Sequence, residues 1–316
     1  MVSGLAFGQR SLTVTSPVNG DFLGKSNTVK FLIRGATSQV RVKVTTTSTA
    51  DPNRIFTKTQ DFSPNNENQI DNSVALNFSD STPEGLYTVK VEATELGSGS
   101  AFTTVNLSNI TVDVVAPKFR DYNPVRNSFV KGLVRIRAIL EELNVKEWTV
   151  KINGQDIPNN NGASNTVNVD WNTATIERDG QQTISIDVED KARNTTNLSG
   201  ISVTVDRVSP DINILTPGTT PFRPKSSIPV AIDFRDQFAS ALGEKHVDVL
   251  IKDMNDNVIG RVSRRGVRAS GSTLQWTGRI QNTDRLPSQF KIVVSAIDRA
   301  GNPAVDQTVI VNLTGR

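Results

Sequence analysis

"SAIDRAGNPAVDQTVIVN", residues 295–312, is the stretch on which the fold turns. Apolar and polar residues alternate as far as Ile297, Asp298-Arg299-Ala300-Gly301-Asn302 interrupts them, and alternation returns through Val309 and Val311. A period of two puts successive side chains on opposite faces of a strand. Asp and Asn bond nearby backbone, and Gly accepts a positive φ, so the interruption reads as a tight turn. A second version, "DVEDKARNTTNLSGISVTVD", occupies 187–206 and is closely followed by Pro210. A hairpin that recurs calls for a search for a recurring domain.

Three copies align on the strand before the turn: "PEGLYTVKVEATELGSG" from Pro83, "RDGQQTISIDVEDKARN" from Arg178 and "LPSQFKIVVSAIDRAGN" from Leu286. Val89, Ile184 and Ile292 then correspond, as do Val91, Ile186 and Val294, with spacings of 95 and 108 residues. That is the length of one sandwich domain. Each copy also opens alike, on a short strand ending at Pro17, Pro124 or Pro217. Proline has no N–H for a ladder, so it belongs at a strand end, an edge or a crossing between sheets.

Between these ends the chain alternates throughout. Copy one offers Val29-Phe31-Ile33, Val40-Val42-Val44 and Val74-Leu76-Phe78. Copy two offers Val134-Ile136-Ala138, Trp148-Val150-Ile152 and Val167-Val169-Trp171, with Asn153-Gly154 as a type I′ hairpin signal. Copy three offers Ile228-Val230-Ile232-Phe234, Val247-Val249-Ile251 and Leu274-Trp276. Only 140–148, "LEELNVKEW", has room for a helical turn. The expected fold is all-β: three tandem immunoglobulin-like antiparallel β-sandwiches placed end to end as a rod. The expected divisions are an apolar N-terminal segment over 1–10 and domains over 11–115, 116–207 and 208–316. "VDVVAPKF" and "VDRVSPDI" at the joints have no Gly/Ser spacer, which predicts semi-rigid connections.

The segments "AIDRAGN" (296–302), "VEDKARN" (188–194) and "PEGLYTVKVEAT" (83–94) resemble tandem bacterial immunoglobulin-like or fibronectin-III-like domains of secreted and cell-surface proteins. The resemblance implies a tyrosine corner at Tyr87 alone, since Gln182 and Phe290 fill that slot in the other copies. It implies an extracellular or cell-surface location, and it is specific for fold rather than function.

Composition and motifs limit the chemistry. The 316 residues contain no Cys and a single His, His246, which excludes a disulfide scaffold, a Cys-ligated metal and an imidazole pair. Asp253-x-Asn255-Asp256-Asn257 is similar to a calcium loop, but Val258 and Arg264 stand where an EF-hand needs Gly and Glu, so a polar hairpin turn is the expectation. Glu141-Glu142 and Asp233/Asp236 read as solvated carboxylates rather than a catalytic pair. Arg261, Arg264, Arg265 and Arg268 read as a solvated strand face, too short for a nucleic-acid stripe. No run approaches a membrane-spanning length. No catalytic residue, cofactor or metal is therefore expected, and the fold is expected to be independent of calcium. Asn-x-Ser/Thr occurs at Asn77, Asn106, Asn109, Asn194, Asn197 and Asn312, about the frequency chance gives, and marks glycosylation candidates.

The N-terminus, "MVSGLAFGQR", reads either as the end of a signal peptide, with Ala6 and Gly8 before the cleavage point, or as an assembly strand. Its apolar anchors, with the first strand, are Val2, Leu5, Phe7, Leu12 and Val14. Addition to the edge of another copy would propagate head to tail. The functional expectation is a non-catalytic subunit of an extracellular, pilus-like filament, with itself as partner. The alternatives are an adhesin stalk and a carbohydrate-binding accessory protein that meets cell-surface glycans.

Overall fold

The computed structural model describes residues 10–218, 220–223, 226–238, 247–270 and 273–314. Each domain is a sandwich of two sheets. The first comprises β1 (Ser11–Ser16), β2 (Phe22–Leu23), β3 (Ser26–Arg34), β4 (Val40–Ser48), β5 (Ile55–Phe62), β6 (Gln69–Asn77), β7 (Gly85–Glu95) and β8 (Val105–Val112). Its sheets are β1-β3-β6 and β2-β8-β7-β4-β5. The second comprises β9 (Phe119–Asn123), β10 (Ser128–Val130), β11 (Leu133–Leu140), β12 (Val145–Ile152), β13 (Gln155–Gly162), β14 (Thr166–Asn172), β15 (Gly180–Asp190) and β16 (Thr195–Val205). Its sheets repeat the first arrangement as β9-β11-β14 and β10-β16-β15-β12-β13.

The third comprises β17 (Asp211–Thr216), β18 (Ile228–Arg235), β19 (Val247–Lys252), β20 (Val258–Arg261), β21 (Ser263–Ser270), β22 (Thr273–Ile280), β23 (Gln289–Ala296) and β24 (Gln307–Asn312). Here the chain leaves the second sheet after β20. Val262 is buried, its N–H bonds the Val249 carbonyl, and β21 joins β22 in the first sheet.

The alternation read from the sequence is the alternation of burial. Val29, Val40, Val42, Val44, Val89, Val91, Val150, Ile184, Ile186, Ile228, Ile292 and Val294 are fully buried, and three separate hydrophobic clusters result, one per sandwich. Each such side chain contributes about 1.5–3 kcal/mol on removal from water, so a slip of one residue, which would expose the whole set, is strongly disfavoured. Asn153 and Gly154 both have positive φ, as a type I′ turn between β12 and β13 requires. Tyr87 Oη donates to the Pro83 carbonyl at 2.8 Å, forming the corner expected of that residue.

Two details differ from the sequence reading: the missing helical turn and a parallel pairing beyond the first prolines. Residues 140–148 contain no helical turn: β11 ends at Leu140, the chain bends, and β12 begins at Val145, because Val145, Trp148 and Val150 are needed in the core. Pro17, Pro124 and Pro217 each follow a cis peptide bond at the end of the domain's first strand. Beyond each, the chain crosses to the other sheet and runs beside the last strand in the same direction. Phe22 thus pairs with Thr111, Ser128 with Val203, and Phe222 with Leu313. The sandwiches are antiparallel except for these short parallel edges.

Candidate functional site at the domain joints

The repeated turn does more than reverse the chain. Asp190 accepts the Asn194 N–H at Oδ1 and its side-chain amide at Oδ2, both at 2.8 Å. Asp298 and Asn302 repeat the pair at 2.8 and 2.6 Å. The positive φ sits at Arg193 in one turn and at Gly301 in the other. This geometry frees one amide hydrogen to point away from the turn. Asn194 Nδ2 donates to the Asp113 carbonyl and Asn302 Nδ2 to the Asp206 carbonyl, each at 3.0 Å. Asp113 and Asp206 lie in the linkers leaving the preceding domain, so each turn is fastened to its neighbour.

Carboxylates collect around both fasteners at equivalent places in the fold. At the first joint Asp113, Glu142 and Asp190 bring carboxylate oxygens within 4.8 Å of one another; at the second, Asp206, Asp236 and Asp298 do so. One acid comes from the linker, one from the loop after β11 or β18, and one from the turn. Asp113, Asp190, Asp206, Asp236 and Asp298 are buried, and Glu142 is partly so. Burial, helped by the neighbouring Glu84, pushes the Asp113 carboxyl up to about 7. Burial likewise pushes Asp236 up to about 6 and raises Asp206. A further acid stands beside each linker: Glu84 accepts the Val115 N–H, and Asp179 accepts the Arg207 N–H and pairs with its guanidinium.

Packing completes the joints. Gly24 admits the Ala192 carbonyl so closely that an added Cβ would lie 2.3 Å from its oxygen. Lys191 Nζ sits 5.3 Å from the centre of the Phe22 ring. In the second joint Lys131 reaches across to the Gly301 carbonyl and to Asn302 Oδ1, and the Phe129 and Phe238 rings lie 6.4 Å apart. Gln237 Nε2 bridges Asp179 and Asp206, at 2.9 Å from each.

Domain one shows the same turn position used differently. Glu95 corresponds to Asp190 and Asp298. Its carboxylate accepts the Thr37 N–H and hydroxyl, the Ser38 N–H and the Ser98 hydroxyl, and it pairs with Arg10 at 3.0 Å. These bonds, those of Thr37 foremost, hold it down at about 2.

The residues singled out from sequence fare unequally. Glu142 and Asp236, expected as solvated carboxylates, belong to the joints; the expectation failed because loops after strands look alike in sequence whether or not a second domain covers them. Glu141 and Asp233 take no part in either cluster. Asp253 forms the polar turn expected of it, accepting the Asn255 and Asn257 N–H groups between β19 and β20. Arg264, Arg265 and Arg268 are exposed on β21, and Arg261 pairs with Asp248. Leu12 is buried in the core of its own domain and the partly buried Val14 packs against that core, where β1 pairs with β3. Val2, Leu5, Phe7 and His246 lie outside the described residues. Asn77, Asn106, Asn109 and Asn197 are exposed and Asn312 is half-buried, whereas the amide of Asn194 is committed to the first joint.

No family model matches the chain, and no curated protein matches it. Solved structures do. Fibronectin(III)-like modules of Clostridium thermocellum CbhA are 13% identical over 62% of this chain and 93% of theirs, with a TM-score of 0.40. The three-domain titin fragment I67–I69, in an E-to-A variant, is 14% identical over 97% of this chain and 99% of its own, at 0.37. A structure from a 1.5-MDa bacterial ice-binding adhesin is 17% identical over 96% and 98%, at 0.29.

Proposed function

We propose that the chain is a non-catalytic structural element of the extracellular surface, a stalk that sets distance and direction through serial sandwiches with fastened joints. The observation that supports this most is the repetition of one joint chemistry. Asn194 with Asp113 and Asn302 with Asp206 use the same turn to hold the same linker carbonyl. Flexible tethers have no use for such bonds; a spacer that must keep its direction does. The buried acids serve the joints rather than a substrate cleft. Among the described residues no helix is long and apolar enough to cross a membrane.

The finer reading is assembly of such units into a filament through edge addition by Val2, Leu5 and Phe7, with cell-surface glycans as candidate contacts of the finished fibre. The acid pattern of the inner joints does not recur at the far end of domain three, where Pro287 and Thr314 stand in place of Glu84/Asp179 and Asp113/Asp206. Any polymer contact there uses different chemistry. Protease shaving of intact cells, followed by negative-stain imaging of purified protein, tests the proposal. Surface-released, elongated three-lobed particles are expected. A protease-protected intracellular pool, or a collapsed three-domain globule, overturns it. Deleting residues 1–9 tests the finer reading, which requires polymers in the parent and their loss in the deletion.

A further inference from the structure

We propose that each joint binds one calcium ion, held by Asp113, Glu142 and Asp190 at the first and by Asp206, Asp236 and Asp298 at the second. This reverses the expectation of a metal-independent fold, which rested on the Asp253 motif and on the shortage of Cys and His.

The second joint gives the sharper evidence. Its three acids are all at least nine-tenths buried and their oxygens approach within 4.8 Å. Asp298 is satisfied by Asn302. Asp206 Oδ1 accepts from Val208 and Gln237, and Asp236 Oδ1 accepts from Phe238. The Oδ2 atoms of Asp206 and Asp236 are buried and have no hydrogen-bond partner. Buried polar groups are ordinarily paired, and buried charges are paired or hold metals. Two buried carboxylate oxygens without a hydrogen-bond donor, beside a third carboxylate, form a set of anionic oxygen donors suited to a cation. Lys131, the nearby ammonium named above, is directed to the Gly301 carbonyl and Asn302 Oδ1 instead.

Repetition and contrast support the assignment. The first joint places acids at the same three positions of the fold, the linker acid four residues before Pro117 or Pro210 and the turn acid four residues before Asn194 or Asn302. Among the described residues of domain one, the turn acid joins no such cluster, and there the protein supplies its own cation, Arg10, to Glu95. The internal control is that an arginine appears where the acid set is reduced.

Ligand chemistry selects the metal. The donors are all oxygen, which suits hard cations. Three carboxylates from a linker, a loop and a turn form an irregular cage, which calcium accepts; magnesium demands near-octahedral geometry and keeps its water. The linker acid belongs to one domain and the other two to the next. The ion therefore ties neighbouring domains together and stiffens the joint.

Isothermal titration of Ca2+ into the EDTA-stripped full chain tests this, with Asp236→Asn and Glu142→Gln as variants and circular dichroism in EDTA to confirm that each is folded. Two ions per wild-type chain and one per single variant are expected. Asp236→Asn should be at least as stable as wild type in EDTA, because like-charge repulsion is relieved, and less stable in millimolar Ca2+. An acid with a purely structural role would lower stability in both. Absence of saturable binding in the millimolar range, a stoichiometry unchanged by both variants, or equal binding of Mg2+ overturns the proposal.

Discussion

The side-chain amide of Asn302 donates to the backbone carbonyl of Asp206 across the joint between the second and third domains, at 3.0 Å. Asn194 and Asp113 repeat the bond at the first joint. Replacing either Asn by Ala leaves a linker carbonyl and one Asp oxygen without that donor, a cost of about 1–3 kcal/mol for a buried group. The cost falls on the joint, because the cores on either side keep their apolar contacts. Asn302→Ala should therefore raise thermolysin cleavage between residues 206 and 210 by roughly tenfold, with little change in global melting. Asn197→Ala, on an exposed position of β16, is the control. Equal cleavage of Asn302→Ala and wild type would show that the bond does not hold the joint closed.

Gly24 tests the first joint by sterics alone. Its φ is not in the left-handed region, so a side chain costs nothing in backbone conformation; the obstacle is the Ala192 carbonyl oxygen, 2.3 Å from the position of a Cβ. Gly24→Val must push the two domains apart. Faster cleavage within 113–117 and a broader distribution of particle dimensions in small-angle scattering are expected. The core of domain one should keep its stability to within about 0.5 kcal/mol, because the clash lies against the neighbouring domain and not in that core. A variant with unaltered scattering would mean that the domains do not approach there.

Most of the architecture was legible because its signals are local. Val89, Ile184 and Ile292 sit at matching positions of a period-two pattern, and all are fully buried. Asn153-Gly154 and the Asp298–Asn302 turn declare themselves by residue type. The joints were not legible. Asn194 finds its acceptor 81 positions earlier and Asn302 finds its acceptor 96 earlier, so no window of sequence contains both ends. Asp236 follows a strand as many solvated acids do; it is buried where Asp206 and Asp298 meet it from separate segments. One trace of the joints does stand in the repeat. Asp113 and Asp206 occupy the same place before Pro117 and Pro210, a recurrence with no use inside a single sandwich.

Tyr87 gives a prediction confined to one domain. It is fully buried and its hydroxyl donates to the Pro83 carbonyl. Tyr87→Phe removes the donor and leaves the ring, so domain one should lose about 1–2 kcal/mol. The three tryptophans, Trp148, Trp171 and Trp276, all lie in the other two domains. Urea unfolding followed by circular dichroism should show an earlier first transition, while tryptophan fluorescence keeps its midpoint. A shift in the fluorescence midpoint would contradict domain-wise unfolding.

Glu95 predicts how domain one responds to acid. Its folded carboxyl is held at about 2, below the ordinary 4.5, because Thr37, Ser38 and Ser98 donate to the ionised form. A depressed carboxyl stabilises the fold fully above its unfolded value and loses that contribution as pH falls through the folded one. The stabilisation is thus complete at pH 7 and fades between about 4.5 and about 2. Glu95→Gln removes the charge, weakens the bonds from Thr37 and Ser38, and leaves Arg10 without its partner. The variant should be less stable than wild type at pH 7, and the gap should close progressively below pH 4.5. Many other carboxylates titrate in the same range, so the informative quantity is the difference between the two proteins, measured by urea unfolding with circular dichroism at several pH values. A gap that stays constant from neutral to strongly acid solution would mean that Glu95 contributes shape rather than charge.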